Sequence, residues 1–127
     1  MSEIVVLGAS LGGTLAALEL VPEVSQGDRV TLVGESNRFR FVPSNPWVAV
    51  GWRERRDIEV DLEAVARQKG IRLLSQGARC VNPSASRLEL NDGESLPYDY
   101  LVIATGPELA FDEIEGLGPA ACAIACR

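Results

Sequence analysis

An apolar strand, a glycine turn and a helix follow one another at the start of the chain, and this order limits the fold more than any other feature. The segment Glu3–Leu7 is mainly β-branched and apolar, which is typical of a strand buried on both faces of a parallel sheet. Leucines at helical spacing follow, and Pro22 limits that helix. A second apolar strand over 29–33 completes a unit of about 30 residues. We therefore predict a βαβ unit and an α/β fold with a parallel sheet.

The later sequence predicts a second helix and two more parallel strands. Asp61 is an N-cap candidate for a helix that ends at Lys69, just before Gly70. Strands are predicted over 71–74 and 100–104, and the apolar character of the second one indicates burial on both faces.

A small antiparallel β-meander is predicted between these two strands. Residues 78–81 and 87–90 have strand patterns, and Asn91-Asp92-Gly93 is typical of a hairpin turn. By contrast, residues 37–51 show no sustained period and predict an ordered loop. The aromatic residues of this region either fill space beneath the loop or cover a ligand.

Charge and composition exclude several classes of function. The 127 residues include 12 Lys and Arg against 18 Asp and Glu, so no broad binding to nucleic acid is expected. Histidine is absent, and we therefore expect neither a metal site nor a hydrolytic triad. Three cysteines indicate a reducing, cytoplasmic location, and no apolar run reaches the roughly 20 residues of a membrane helix.

The turn Gly8–Gly13 predicts a phosphate site because it joins a buried strand to a helix. Glycines there allow a sharp turn and let a pyrophosphate rest on the helix N-terminus. Ser10 stands where the usual fingerprint has its second glycine, so its hydroxyl either binds the phosphate or crowds it. Alternatively, the glycines serve only the packing of the helix on the strand.

Two further features support a dinucleotide site at the same edge of the sheet. Glu35 follows the glycine turn by about 20 residues, where a carboxylate accepts hydrogen bonds from the adenosine ribose. A carboxylate there disfavours a 2′-phosphate and so favours FAD or NAD, unless Glu35 is simply a solvated acid. A second glycine turn, Thr105-Gly106, is expected beside the first.

Together these motifs resemble the FAD-binding half of the flavoproteins with two dinucleotide-binding domains, which include disulfide reductases and NADH dehydrogenases. Within that group, Phe41–Trp52 and Ile114–Pro119 are similar to segments of sulfide:quinone oxidoreductases and flavocytochrome sulfide dehydrogenases. The resemblance covers residues 3–119 and implies a Rossmann-like domain with FAD as cofactor. It implies that the cofactor is bound by Gly8, Ser10, Leu11, Gly12, Gly13, Glu35, Thr105 and Gly106.

The resemblance also implies a chemistry. Enzymes of this type oxidise sulfide through a cysteine persulfide and pass the electrons by way of flavin to a quinone or a cytochrome. Cys126, or failing that Cys122, corresponds to the active cysteine, whose thiolate would be the nucleophile. Both cysteines could instead be small buried apolar residues, and Cys80 is expected only to pack.

We expect residues 1–127 to form one partial domain. The resemblance assigns a complete enzyme a second dinucleotide-binding domain and a C-terminal region that meets the quinone or membrane, neither of which is in these residues. Apolar surface left exposed would then favour self-association. Two alternatives stay open: a noncatalytic nucleotide-binding or interaction module, and the flavin half of an NADH-dependent reductase.

Overall fold

The computed structural model of the chain describes residues 1–107 and 110–114. This part contains three short helices and nine strands, with 3₁₀ turns over Val42–Ser44, Arg55–Ile58, Pro83–Ala85 and Phe111–Glu113. In chain order the helices and strands are β1 (Glu3–Leu7), α1 (Leu11–Leu20), β2 (Arg29–Val33), β3 (Arg38–Arg40), α2 (Asn45–Ala49), β4 (Glu59–Asp61), α3 (Leu62–Lys69), β5 (Arg72–Leu74), β6 (Ala78–Asn82), β7 (Arg87–Leu90), β8 (Ser95–Pro97) and β9 (Tyr100–Ile103).

The parallel sheet has the strand order β5-β2-β1-β9, and β1 lies inside it with a neighbour on each side. The two central valines, Val5 and Val6, point to opposite faces and are both fully buried. The prediction of a strand buried on both faces is therefore confirmed for β1.

Helices α1 and α3 cover one face of the sheet. Asp61 accepts a hydrogen bond from the backbone N–H of Glu63 at 3.0 Å, and Gly70 ends α3 in the left-handed conformation at φ +73°. The predicted start and end of this helix are thus confirmed. The core on this face consists of Val6, Ala17, Val30, Leu32, Ala66 and Ile71.

The antiparallel sheet β6-β7-β8 covers the opposite face, as the predicted meander requires. Leu88, Leu90 and Leu96 lie buried against Val5 and Val33 of the parallel sheet. The domain therefore has three layers, and the carboxyl ends of the parallel strands lie between the two covering layers.

The prediction of a loop over 37–51 is wrong in part. Strand β3 pairs with β4 in antiparallel register, and α2 follows soon after. The pairing is invisible in the sequence because each strand has only three residues and its partner lies about 20 residues away. A hydrogen bond from Arg53 Nη1 to Ser44 Oγ, 2.6 Å long, ties the segment that contains α2 to the residues after it.

Two burial predictions are also wrong. Tyr100 and Ile103 are 65% and 63% exposed, because β9 has only one neighbouring strand within the described residues. Cys80 is exposed rather than packed, next to a register irregularity between β6 and β7.

Across residues 1–107 and 110–114, no helix has the length and apolar content needed to cross a bilayer.

Candidate functional site

The two glycine turns meet at the carboxyl edge of the parallel sheet, as predicted. Gly8 has a φ of +112°, and a Cβ atom there would overlap the carbonyl of Ala104 at the end of β9. A Cβ atom on Gly13 would overlap the carbonyl oxygen of Gly8. Glycine is therefore required at both positions for α1 to start directly against β1 and β9.

A cleft of about 430 Å³ opens beside these turns. Its volume is in the range of small-molecule and cofactor sites, and it lies at the edge where parallel α/β sheets bind ligands. The residues that line it are Leu7, Gly8, Ala9, Ser10, Val33, Gly34, Glu35, Ser36, Arg38, Arg40, Val42, Gly77, Ala78 and Thr105.

The N-terminus of α1 opens onto this cleft. Ser10 occupies the N-cap position, but its hydroxyl donates to the carbonyl oxygen of Ala104 at 3.4 Å, and no described side chain caps the helix. The first turn carries no acidic residue, and no described atom lies within 4 Å of a Cβ atom placed on Gly12. Uncapped N–H groups and the positive end of the helix dipole are features that favour an anion at a helix end.

Glu35 projects from the end of β2 into the cleft and is exposed. Its side chain lies against Gly77, where a Cβ atom would be 3.3 Å from Glu35 Cγ. Gly77 has a φ of +73°, and its turn is held by a hydrogen bond from Asn91 Nδ2 to the carbonyl oxygen of Gln76 at 2.9 Å. A side chain at position 77 would therefore crowd Glu35, and glycine leaves that space free.

Comparison with known families decides the identity of this fold. The family model described as pyridine nucleotide-disulphide oxidoreductase matches residues 2–125. The chain belongs to this family. Its members, the sulfide-quinone reductases among them, are FAD-dependent flavoproteins, and FAD is the cofactor assigned to this chain.

Individual relatives within the family include enzymes of sulfide oxidation. The sulfide-quinone reductase of Aquifex aeolicus is 35% identical over 111 residues, which cover 85% of this chain and 25% of that protein. The mitochondrial sulfide:quinone oxidoreductase of Dictyostelium discoideum is 29% identical over 117 residues, covering 92% of this chain and 26% of the relative. The chain thus spans about a quarter of the length of the curated relatives it matches.

Solved structures agree with the family assignment. The crystal structure of the A. aeolicus sulfide:quinone oxidoreductase superposes with a TM-score of 0.79 at 34% identity, covering 87% of this chain and 26% of that chain. An NAD-dependent persulfide reductase from A. fulgidus gives a TM-score of 0.75 at 27% identity, covering 90% and 23%. The predicted Rossmann-like FAD-binding fold with a parallel sheet and an antiparallel insertion is confirmed.

The cleft is also lined by basic residues that the sequence motifs did not predict. Arg38 and Arg40 of β3 line the cleft together with Val42. Arg40 donates to Glu59 Oε1 at 3.0 and 3.1 Å, and Arg55 donates to the same oxygen at 2.7 Å. These hydrogen bonds, that of Arg55 first, hold the pKa of the Glu59 carboxyl below its ordinary value. The three-residue RFR segment is too short to show a strand period, so no sequence signal identifies these arginines as lining the cleft.

The other site residues predicted from the sequence lie in different places. Leu11 lines a separate cavity of about 310 Å³ between α1, α3 and the β3–β4 pair, and this apolar cavity has only apolar described lining residues apart from Thr14. Thr105 lines the cleft, and Gly106 follows it with a φ of +78° without being part of the lining. Cys122 and Cys126 lie outside the described residues.

Proposed function

We propose that this chain is the FAD-binding portion of an oxidoreductase of the sulfide:quinone type. The observation that carries the proposal is the meeting of two glycine turns beside an uncapped helix N-terminus, with a carboxylate across the cleft. The similarity to the A. aeolicus enzyme supports sulfide as the electron donor. A complete catalytic cycle is not assigned to these residues, which match about a quarter of that enzyme.

The adenosine diphosphate half of FAD is proposed to fill the cleft. Its pyrophosphate would lie at the N-terminus of α1, where Gly8 and Gly13 shape the turn and Gly12 leaves room for close approach. Glu35 would accept hydrogen bonds from the adenosine ribose hydroxyls. Thr105 would contact the phosphate side of the cofactor, with Gly106 completing its turn.

The chemistry of the proposed enzyme depends on the cofactor and on a thiol. FAD, when bound, supplies a two-electron acceptor beside the substrate. The thiolate of Cys126, or of Cys122 as the second choice, would combine with hydrosulfide to form a persulfide, and the two electrons released together with one proton would pass to the bound FAD. A quinone or a cytochrome would be the final acceptor, reached through regions that these residues do not include.

The sequence favours a cytoplasmic location, which cell fractionation would test.

A second candidate is a noncatalytic nucleotide-binding module. The side chain of Ser10 favours it, because a hydroxymethyl group occupies the position of the usual second glycine of the fingerprint. Such a module would bind ADP but hold FAD poorly or not at all.

Cofactor binding is tested by visible absorption of the purified protein before and after addition of FAD and removal of the excess. One flavin per chain is expected, displaced by ADP. A colourless protein that also rejects added FAD would refute the proposed cofactor role, and binding of ADP alone would support the noncatalytic module. Ala64→Gly, on the exposed face of α3, is a control variant far from the glycine turns.

The electron donor is tested by exchange of domains. The matching segment of the A. aeolicus enzyme is replaced by this chain, and flavin bleaching by sulfide and by NADH is compared. Sulfide is expected to bleach the flavin, and Cys126→Ser in the same chimera is expected to abolish the reaction. Bleaching by NADH but not by sulfide would instead assign the chain to an NADH-dependent reductase and would contradict the role of Cys126.

A further inference from the structure

Strand β3 separates the charged cleft from the apolar cavity. Side chains alternate along a strand, so Arg38 and Arg40 share one face and Phe39 takes the other. The cavities follow this alternation, since both arginines line the cleft and Phe39 lines the apolar cavity. The antiparallel pairing of Phe39 with Val60 fixes which face is which, because Val60 lines the apolar cavity as well.

The two arginines differ in what already binds them. Arg40 is oriented by Glu59, but that carboxylate is shared with Arg55, so one negative charge faces two guanidinium groups. The guanidinium of Arg38 has no ion-pair partner among the residues that the structure describes, and Arg38 is exposed. Beside β3 the cleft therefore carries excess positive charge, although the chain as a whole has a net charge of −6.

Both arginines therefore line the same cleft as the N-terminus of α1, which is also electropositive. A ligand with a compact double negative charge would be attracted both by the arginines of β3 and by the N-terminus of α1. The Glu35 carboxylate lies in this cleft too, and it would repel a phosphate attached directly to the ribose that it binds. The positive charge therefore matches the pyrophosphate better than a ribose 2′-phosphate.

We propose that Arg38 and Arg40 form a cationic clamp for the pyrophosphate of the bound dinucleotide, on the β3 wall of the cleft. This inference rests on the proposed function, since it concerns the same cleft and the same class of ligand. The clamp supplements the α1 N-terminus, where Ser10 replaces the glycine that usually permits the closest approach of phosphate.

The clamp is tested by calorimetric titration with ADP, which carries the pyrophosphate, and with adenosine, which does not. In the double variant Arg38→Ala and Arg40→Ala, the Kd of ADP is expected to rise at least tenfold while the Kd of adenosine changes less than twofold. The ratio of the ADP Kd of the double variant to that of the unaltered protein should fall when the salt concentration is raised. Salt screens the attraction between the arginines and the pyrophosphate, which only the unaltered protein has. Replacement of both residues by lysine should restore part of the ADP affinity, since lysine keeps the charge but lacks the planar guanidinium.

A matched control is Arg72→Ala. Arg72 is an exposed arginine at the start of β5, on the amino edge of the sheet and outside the cleft lining. It is expected to leave both titrations unchanged. Equal loss of ADP and adenosine affinity in the double variant, or no loss of either, would overturn the clamp. If the unaltered protein binds neither FAD nor ADP, the proposed function fails and the clamp fails with it. If the unaltered protein binds ADP but the double variant shows no selective loss, the clamp alone fails.

Discussion

The two glycine turns at the carboxyl edge of the sheet contain the same residue type for different reasons. At Gly8 and Gly13 an added Cβ atom would overlap backbone atoms, whereas at Gly106 no described atom lies within 4 Å of its position. Gly106 is instead favoured by its φ of +78°, a conformation that costs other residues energy. At Gly12 an added Cβ atom would meet no described atom within 4 Å, and the backbone is not in the left-handed region. We therefore propose that Gly12 serves the close approach of the ligand to the backbone.

The largest effect is expected for Gly13→Ala. The new methyl group would overlap the carbonyl oxygen of Gly8, and backbone atoms cannot move aside without displacing α1 from β1. We expect a loss of more than about 3 kcal/mol in the free energy of unfolding, measured by urea denaturation. Gly12→Ala is the control at the adjacent position. Equal stability of the two variants would contradict the distinction between packing and ligand approach.

A smaller effect is expected for Gly106→Ala. No clash arises within the described residues, so only the left-handed backbone conformation is penalised, by about 1–2 kcal/mol. Gly106→Asn should lose less, because asparagine tolerates this conformation better. Urea denaturation of both variants tests the prediction, which fails if alanine and asparagine are equally destabilising.

Gly12→Ala is expected to separate stability from binding. Alanine in place of glycine in the first turn of α1 should raise the free energy of unfolding by about 0.5 kcal/mol. The added methyl group should at the same time weaken binding of ADP, because it fills the space proposed for the pyrophosphate. Denaturation and ADP titration of one preparation test both parts. Unchanged ADP affinity would remove Gly12 from the site.

The smallest effect is expected for Ser10→Gly. The change removes the hydrogen bond from the hydroxyl to Ala104 and should cost only a few tenths of a kcal/mol. It also restores the usual glycine of the fingerprint. If the serine crowds the phosphate, the affinity for ADP should rise about threefold, which corresponds to about 0.7 kcal/mol. A fall in affinity would show instead that the hydroxyl binds the phosphate.

The sequence predicted best those elements whose signals are local. The bounds of β1, β2 and β7 follow apolar or alternating segments of four or five residues, and α3 follows its own capping residues at Asp61 and Gly70. Because parallel strands present their carboxyl ends at one edge, the meeting of Gly8 with Ala104 could also be predicted.

Features that depend on pairing between distant segments could not be predicted. The orientation of Arg38 and Arg40 depends on the pairing of β3 with β4, which are too short to show a period. The exposure of Tyr100 and Ile103 depends on the position of β9 in the strand order, which its composition does not encode. Leu11 belongs to the motif by sequence, yet the rotation of α1 directs it to the apolar cavity.

The central position of β1 has a consequence for the order of folding. This strand is synthesised before both of its partners, so one edge can pair early with Arg29–Val33 while the other has no partner until Tyr100–Ile103 is made. About 70 residues separate the ends of these two partners, and at about 5–20 residues per second the ribosome takes about 4–14 s to make them. During that time a valine-rich edge lacks its partner and can pair with strands of other nascent chains. Slow codons between β2 and β9 would therefore lower the soluble yield without changing any residue of the protein.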